Sequence, residues 1–81
     1  MIYKQNEKYG STYRLLRIGR VSDLTGISKS YIYHLCNQGL FPKPVPLVPG
    51  GSSVAWLESE VLAWIDQRVQ ARDCAIGDSN G

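Results

Sequence analysis

Ser30, Tyr33, His34 and Asn37 bring a hydroxyl, a phenol, an imidazole and a carboxamide, and Lys29 adds an ammonium, within nine residues that hold no aspartate or glutamate. Each of the first four can donate and accept hydrogen bonds. Wound as a helix at about 100° per residue, these four fall on one arc with Lys29 at its edge, and Ile32, Leu35 and Cys36 fall on the opposite one. A solvated helix face ordinarily mixes glutamate with lysine. A face of hydroxyl, amide and imidazole groups with one cation suits a polyanion that displays hydrogen-bonding edges, and duplex DNA is such a polyanion. An amphipathic helix whose outer residues meet only water would look the same in isolation, so the surrounding chain has to decide.

Both ends of this helix are marked. Ser28 is placed to cap its start, its hydroxyl accepting from a backbone N–H one turn on, and Gly39 is placed to end it in a left-handed turn. Upstream, Val21 and Leu24 are spaced for one face of a shorter helix that Gly26 stops, and Ile27 fills the gap before Ser28. Val21, Leu24, Ile27, Ile32 and Leu35 are what two short crossed helices need to hold each other. Helix, glycine-containing turn, helix is the arrangement that presents a second helix to the major groove.

Past Gly39 the run Leu40-Phe41-Pro42-Lys43-Pro44-Val45-Pro46-Leu47 forbids helix and favours extended backbone. Val48 to Ser53 reads as a turn and Val54 to Leu57 as a short apolar strand, so the segment predicts a β-hairpin with a glycine-rich tip. Glu58 and Glu60 then open a helix at the end its dipole favours, with Val61, Trp64, Ile65 and Val69 as a buried stripe and Arg68 and Arg72 in the last turns. Trp56 and Trp64 are assigned to the core. The expected class is mainly α with a small β-hairpin: three helices plus a wing over residues 14–73, after a flexible N-terminal arm at 1–13 and before a disordered tail at 74–81.

The 81 residues make one small domain of net charge +2, unevenly spread. Residues 1–57 hold seven lysines and arginines against Glu7 and Asp23, while residues 58–81 hold Arg68 and Arg72 against five acids. A chain with one basic and one acidic end turns the basic end toward a phosphate backbone. Cys36 and Cys74 are too few and too far apart for a zinc motif, and His34 lies on the other side of its helix from Cys36, so no metal or other cofactor is expected. No apolar run reaches the length of a membrane span and the N-terminus lacks a signal-peptide core, which makes the cytoplasm the default location. Paired carboxylates and nucleophile–base pairs are missing from the pattern, so an enzyme is not expected.

Four blocks now align with a known family. Arg14-Leu15-Leu16-Arg17, Thr25 to Tyr33, Gly39 to Val45 and Trp56 to Ile65 occur in the order and spacing of the AlpA family of phage and prophage regulators, which the run from Arg14 to Arg72 resembles. That family is related in fold to the MerR-type and excisionase DNA-binding domains. The resemblance implies a winged helix-turn-helix and sequence-specific binding of double-stranded DNA that controls prophage or integrative-element genes. By position, the recognition helix is Ser28 to Gln38 and the wing Val48 to Ser53. The chain departs from the family at Leu40, where a basic residue is frequent, and at Ser52 and Ser53, where an arginine is common.

On this reading Ser30, Tyr33, His34 and Asn37 face base edges. Arg17, Arg20, Ser28, Lys29, Lys43, Ser52 and Ser53 contact phosphates, joined by backbone N–H groups at the second helix's start. A second copy on repeated or inverted half-sites and an integrase are the further expected partners. Two alternatives share the same fold: an excisionase-like architectural factor for site-specific recombination, and a protein-interaction module that uses Tyr31, Tyr33 and the prolines.

Overall fold

The computed structural model describes residues 13–80, with side chains as far as Cys74. In chain order the elements are β1 (Leu15–Leu16), α1 (Ile18–Thr25), α2 (Lys29–Asn37), β2 (Val45–Pro46), β3 (Val54–Leu57) and α3 (Glu58–Asn80). Three helices and a small antiparallel sheet give the expected class, a mainly helical domain compatible with a winged helix-turn-helix. Of the arm expected at 1–13, residues 1–12 lie outside the described residues.

β2 and β3 form the hairpin, with Val45 opposite Ala55 and Pro46 opposite Val54. Its tip is a turn in which Gly51 N–H donates to the Val48 carbonyl at 2.9 Å, with Pro49 second and Gly50, at φ 77°, third, the positions those residues favour in a type II turn. β1 is an addition to the expected hairpin. Leu15 pairs with Leu57 and Leu16 with Trp56, so the strand order is β1-β3-β2 and β3, the apolar strand, is central. Pro46 falls on an edge strand, where its missing N–H costs no ladder bond.

The core gathers one or two residues from nearly every element: Leu16, Val21, Ile32, Cys36, Phe41, Ala55, Trp56 and Val61. Trp56, Ile32, Val21 and Val61 are fully buried. The loop after α2 is tied down by two indoles. Trp56 Nε1 donates to the Pro42 carbonyl at 2.9 Å and Trp64 Nε1 to the Leu40 carbonyl at 2.8 Å, while the Phe41 ring meets the Trp64 ring edge-on at 4.8 Å. The Cys36 thiol also donates to the Pro42 carbonyl, at 3.4 Å.

The turn between α1 and α2 is braced from both sides. Gly26 adopts φ 77°, which an L-residue with a Cβ resists, and its N–H donates to the Ser22 carbonyl at 2.8 Å. Thr25 Oγ1 donates to the Val21 carbonyl (2.9 Å) and accepts from Ile27 N–H (3.1 Å), and Ser22 Oγ donates to the Ile27 carbonyl at 2.6 Å. These bonds fix the angle at which α2 leaves α1.

Three expectations change. Leu24 and Val69, assigned by spacing to buried faces, are 40% and 39% exposed, and Trp64 is only partly buried. α1 has eight residues and, among the described residues, α3 meets the core through its first two turns, so the rest of each stripe is not packed into that core. Leu24 and Val69 instead line an open groove with Ile27, Trp64, Ile65, Arg68 and Arg72. α3 also runs past Asp73 to Asn80, because Cys74-Ala75-Ile76 holds no breaker and Gly77 alone does not stop a helix.

Burial has a chemical consequence at Cys36. It pushes the thiol pKa up, whereas Cys74 is exposed. Native protein is therefore expected to react with a thiol reagent at Cys74 and to protect Cys36 until it unfolds, as peptide mapping after timed alkylation will read. The raised pKa makes the same statement about stability: Cys36 contributes fully below the ordinary thiol range of about 8.5, and that contribution is lost as pH rises toward the folded pKa. Mapping that finds both thiols labelled at one rate in native protein would contradict this core.

Candidate nucleic-acid interface

α2 owes its limits to the two residues that flank it. Ser28 has extended backbone (ψ 154°) and its Oγ accepts from Tyr31 N–H at 3.3 Å, occupying one of the donors the first turn leaves free. At the other end Gly39 adopts φ 74°, its N–H donating to the Cys36 carbonyl (3.1 Å) and the Leu40 N–H to the Leu35 carbonyl (2.9 Å). That pair of bonds is the Schellman arrangement, which satisfies carbonyls of the last turn. Ile32 and Cys36 are buried and Leu35 half-buried, so the apolar arc sits on the core.

The opposite arc is open. Ser30, Tyr33, His34 and Asn37 are all exposed, as are Ser28 and Lys29. Tyr33 lies at the edge facing the sheet, its ring tilted at 58° to the Trp56 ring with centroids 5.7 Å apart. Nothing acidic belongs to this helix, and the described ion pairs, Arg14 with Glu58 (3.6 Å) and Arg72 with Asp73 (2.7 Å), involve none of the cations expected at phosphates.

Those cations flank α2 in the chain. Arg17, whose carbonyl accepts from Val21 N–H at 3.1 Å at the start of α1, and Arg20, in its first turn, are exposed. Lys43, also exposed, lines a cleft with Tyr33, Asn37, Gln38 and Pro44, which brings one expected phosphate contact beside two expected base contacts. At the hairpin Ser52 is exposed and Ser53 half-buried, its carbonyl accepting from Leu47 N–H at 2.9 Å. The tip carries no cation, but Leu47 and Val48 are 38% and 52% exposed there. Any hold it has on a phosphate is by uncharged hydrogen bonds.

Sequence reasoning left Tyr31 out of the base-facing set. The structure places it in the first turn of α2, 53% exposed, with its ring stacked on the His34 imidazole at 5.3 Å and 26°. The spacing of three residues between two rings on a helix was the available signal.

Residues 14–69 match the family model described as prophage CP4-57 regulatory protein (AlpA). An uncharacterized protein, ORF88, of Enterobacteria phage P4 is 49% identical over 59 residues, an alignment that takes in 73% of this chain and 65% of the phage protein, so the chain spans less than two thirds of that relative's length. The DNA-binding transcriptional activator AlpA of Escherichia coli (strain K12) is 36% identical over 64 residues, covering 72% of this chain and 89% of the activator. No solved structure gives a significant match.

Proposed function

Because this chain belongs to the AlpA family of prophage regulatory proteins, we propose that it is a sequence-specific, double-stranded DNA-binding transcriptional regulator of prophage or integrative-element genes. The observation that carries the reading is the exposed, acid-free arc of α2, capped at both ends and seated on the core by its other side. α2 enters a major groove with Ser30, Tyr33, His34 and Asn37 toward base edges. Arg17, Arg20, Ser28, Lys29, Lys43, Ser52 and Ser53 hold the phosphates on either side, and the hairpin rests on the backbone as a wing. That the K12 relative is a DNA-binding transcriptional activator supports the same assignment.

One such domain offers few charges, so tight occupancy calls for a second copy on a repeated or inverted half-site. No helix among the described residues is long and apolar enough to cross a membrane, which leaves the cytoplasm as the proposed location.

Direct and backbone contacts separate in a binding assay. Lys43→Ala is expected to weaken specific and random duplexes alike and to lower the salt slope by about 1. Asn37→Ala is expected to cost about tenfold in discrimination, near the low end for a base contact because Asn37 sits in the last turn of α2. Fluorescence anisotropy on a selected site and a scrambled one measures both, and the reading fails if neither substitution alters DNA binding.

A further inference from the structure

We infer that Tyr31 is a positioning residue for base readout: its ring holds the His34 imidazole in one orientation, and that orientation sets which base pair α2 prefers. This rests on the reading of α2 as the DNA-reading helix and adds to it a residue that the hydrogen-bonding pattern alone passes over.

An imidazole on a solvated helix surface turns about two side-chain bonds, and each orientation aims its nitrogens differently. Here the Tyr31 ring lies three residues back along the helix, with centroids 5.3 Å apart and planes 26° from parallel. Offset stacking of this kind favours one relative placement of the two rings. A stack covers a ring face and leaves the ring edge open, and the nitrogens are on the edge. Among the described residues no hydrogen bond engages either His34 nitrogen, and the residue is exposed. The imidazole is therefore oriented by an apolar contact while its donor and acceptor stay available, which is what readout of a purine N7 or a neighbouring base-edge group requires.

Tyr33 provides the contrast. Its ring leans on Trp56, which is fully buried, so it is anchored to the core. Tyr31 is more than half exposed, and among the described residues its ring stacks on His34. Losing it removes little from the core, so an effect on readout can be separated from an effect on folding.

The test is a selection from randomised duplexes followed by sequencing, run on the full chain for wild type, Tyr31→Phe, Tyr31→Ala, His34→Ala and the Tyr31→Ala/His34→Ala double variant, with a thermal melt of each. Tyr31→Ala is expected to relax preference about three- to tenfold at the same base pair that His34→Ala relaxes. Tyr31→Phe keeps the ring and should keep the preference. The double variant should be no more relaxed than His34→Ala alone, since a ring that acts through the imidazole has no effect without it. Melting temperature and affinity for random duplex should stay at the wild-type level for Tyr31→Ala. The inference is overturned if Tyr31→Ala leaves that base pair unchanged, relaxes a different one, or adds to His34→Ala. A wild-type chain that selects no sequence overturns the DNA-reading assignment itself, and that outcome is visible before any variant is compared.

Discussion

Trp56→Ala is expected to leave the chain largely unfolded at 25 °C, because the indole is fully buried and meets several elements at once. It sits on the central strand, is paired across β1 with Leu16, lies against Tyr33 of α2, and donates to the Pro42 carbonyl. Truncating a buried tryptophan to alanine costs about 3–5 kcal/mol. A core in a chain of this size supplies a net stability of about the same magnitude, so little remains to keep it folded. Trp56→Phe separates the two losses: it retains most of the apolar contact and removes the N–H to carbonyl bond, and should stay folded with about 1–2 kcal/mol lost. Circular dichroism melts of the two variants check this, and a Trp56→Ala chain that melts like wild type would place the core elsewhere.

The second large effect is on binding. If Arg17, Arg20, Lys29 and Lys43 each neutralise a phosphate, the log–log salt slope is about −3.6 per domain, and raising monovalent salt from 50 to 200 mM should weaken binding roughly 150-fold. None of these four takes part in a described ion pair, so no internal bond has to break for them to reach DNA. A titration series of anisotropy isotherms gives the slope directly. A slope near zero would mean that the contact is apolar or with protein, and would favour the interaction-module alternative built on Tyr31, Tyr33 and the prolines.

The parts of this fold that were legible in the sequence are those governed by neighbours along the chain. A serine hydroxyl one turn from a free N–H and a glycine after the last turn delimited α2, and the observed cap and left-handed glycine are those residues. Prolines in alternation, then Pro49-Gly50, announced the hairpin. β1 was not legible, because Leu15-Leu16 is too short to show a period and its partners lie about forty residues further on. Leu24 and Val69 were misjudged for a related reason: helical spacing says that residues share a face, and only the fold says whether anything covers it. At the candidate interface, the α2 wheel placed Ser30, Tyr33, His34 and Asn37 on the exposed side, but it treats each side chain alone and so could not show that Tyr31 and His34 stack.

The Pro42 carbonyl accepts from both the Cys36 thiol and the Trp56 indole, and so joins the end of α2 to the strand that carries the hairpin. A reader and a side-arm locked together in this way have a fixed reach between them. On the proposed reading, accommodation then falls to the double helix: targets whose groove width already suits that reach are engaged with little distortion, while stiffer or differently shaped tracts pay in bending energy at base pairs the protein never touches.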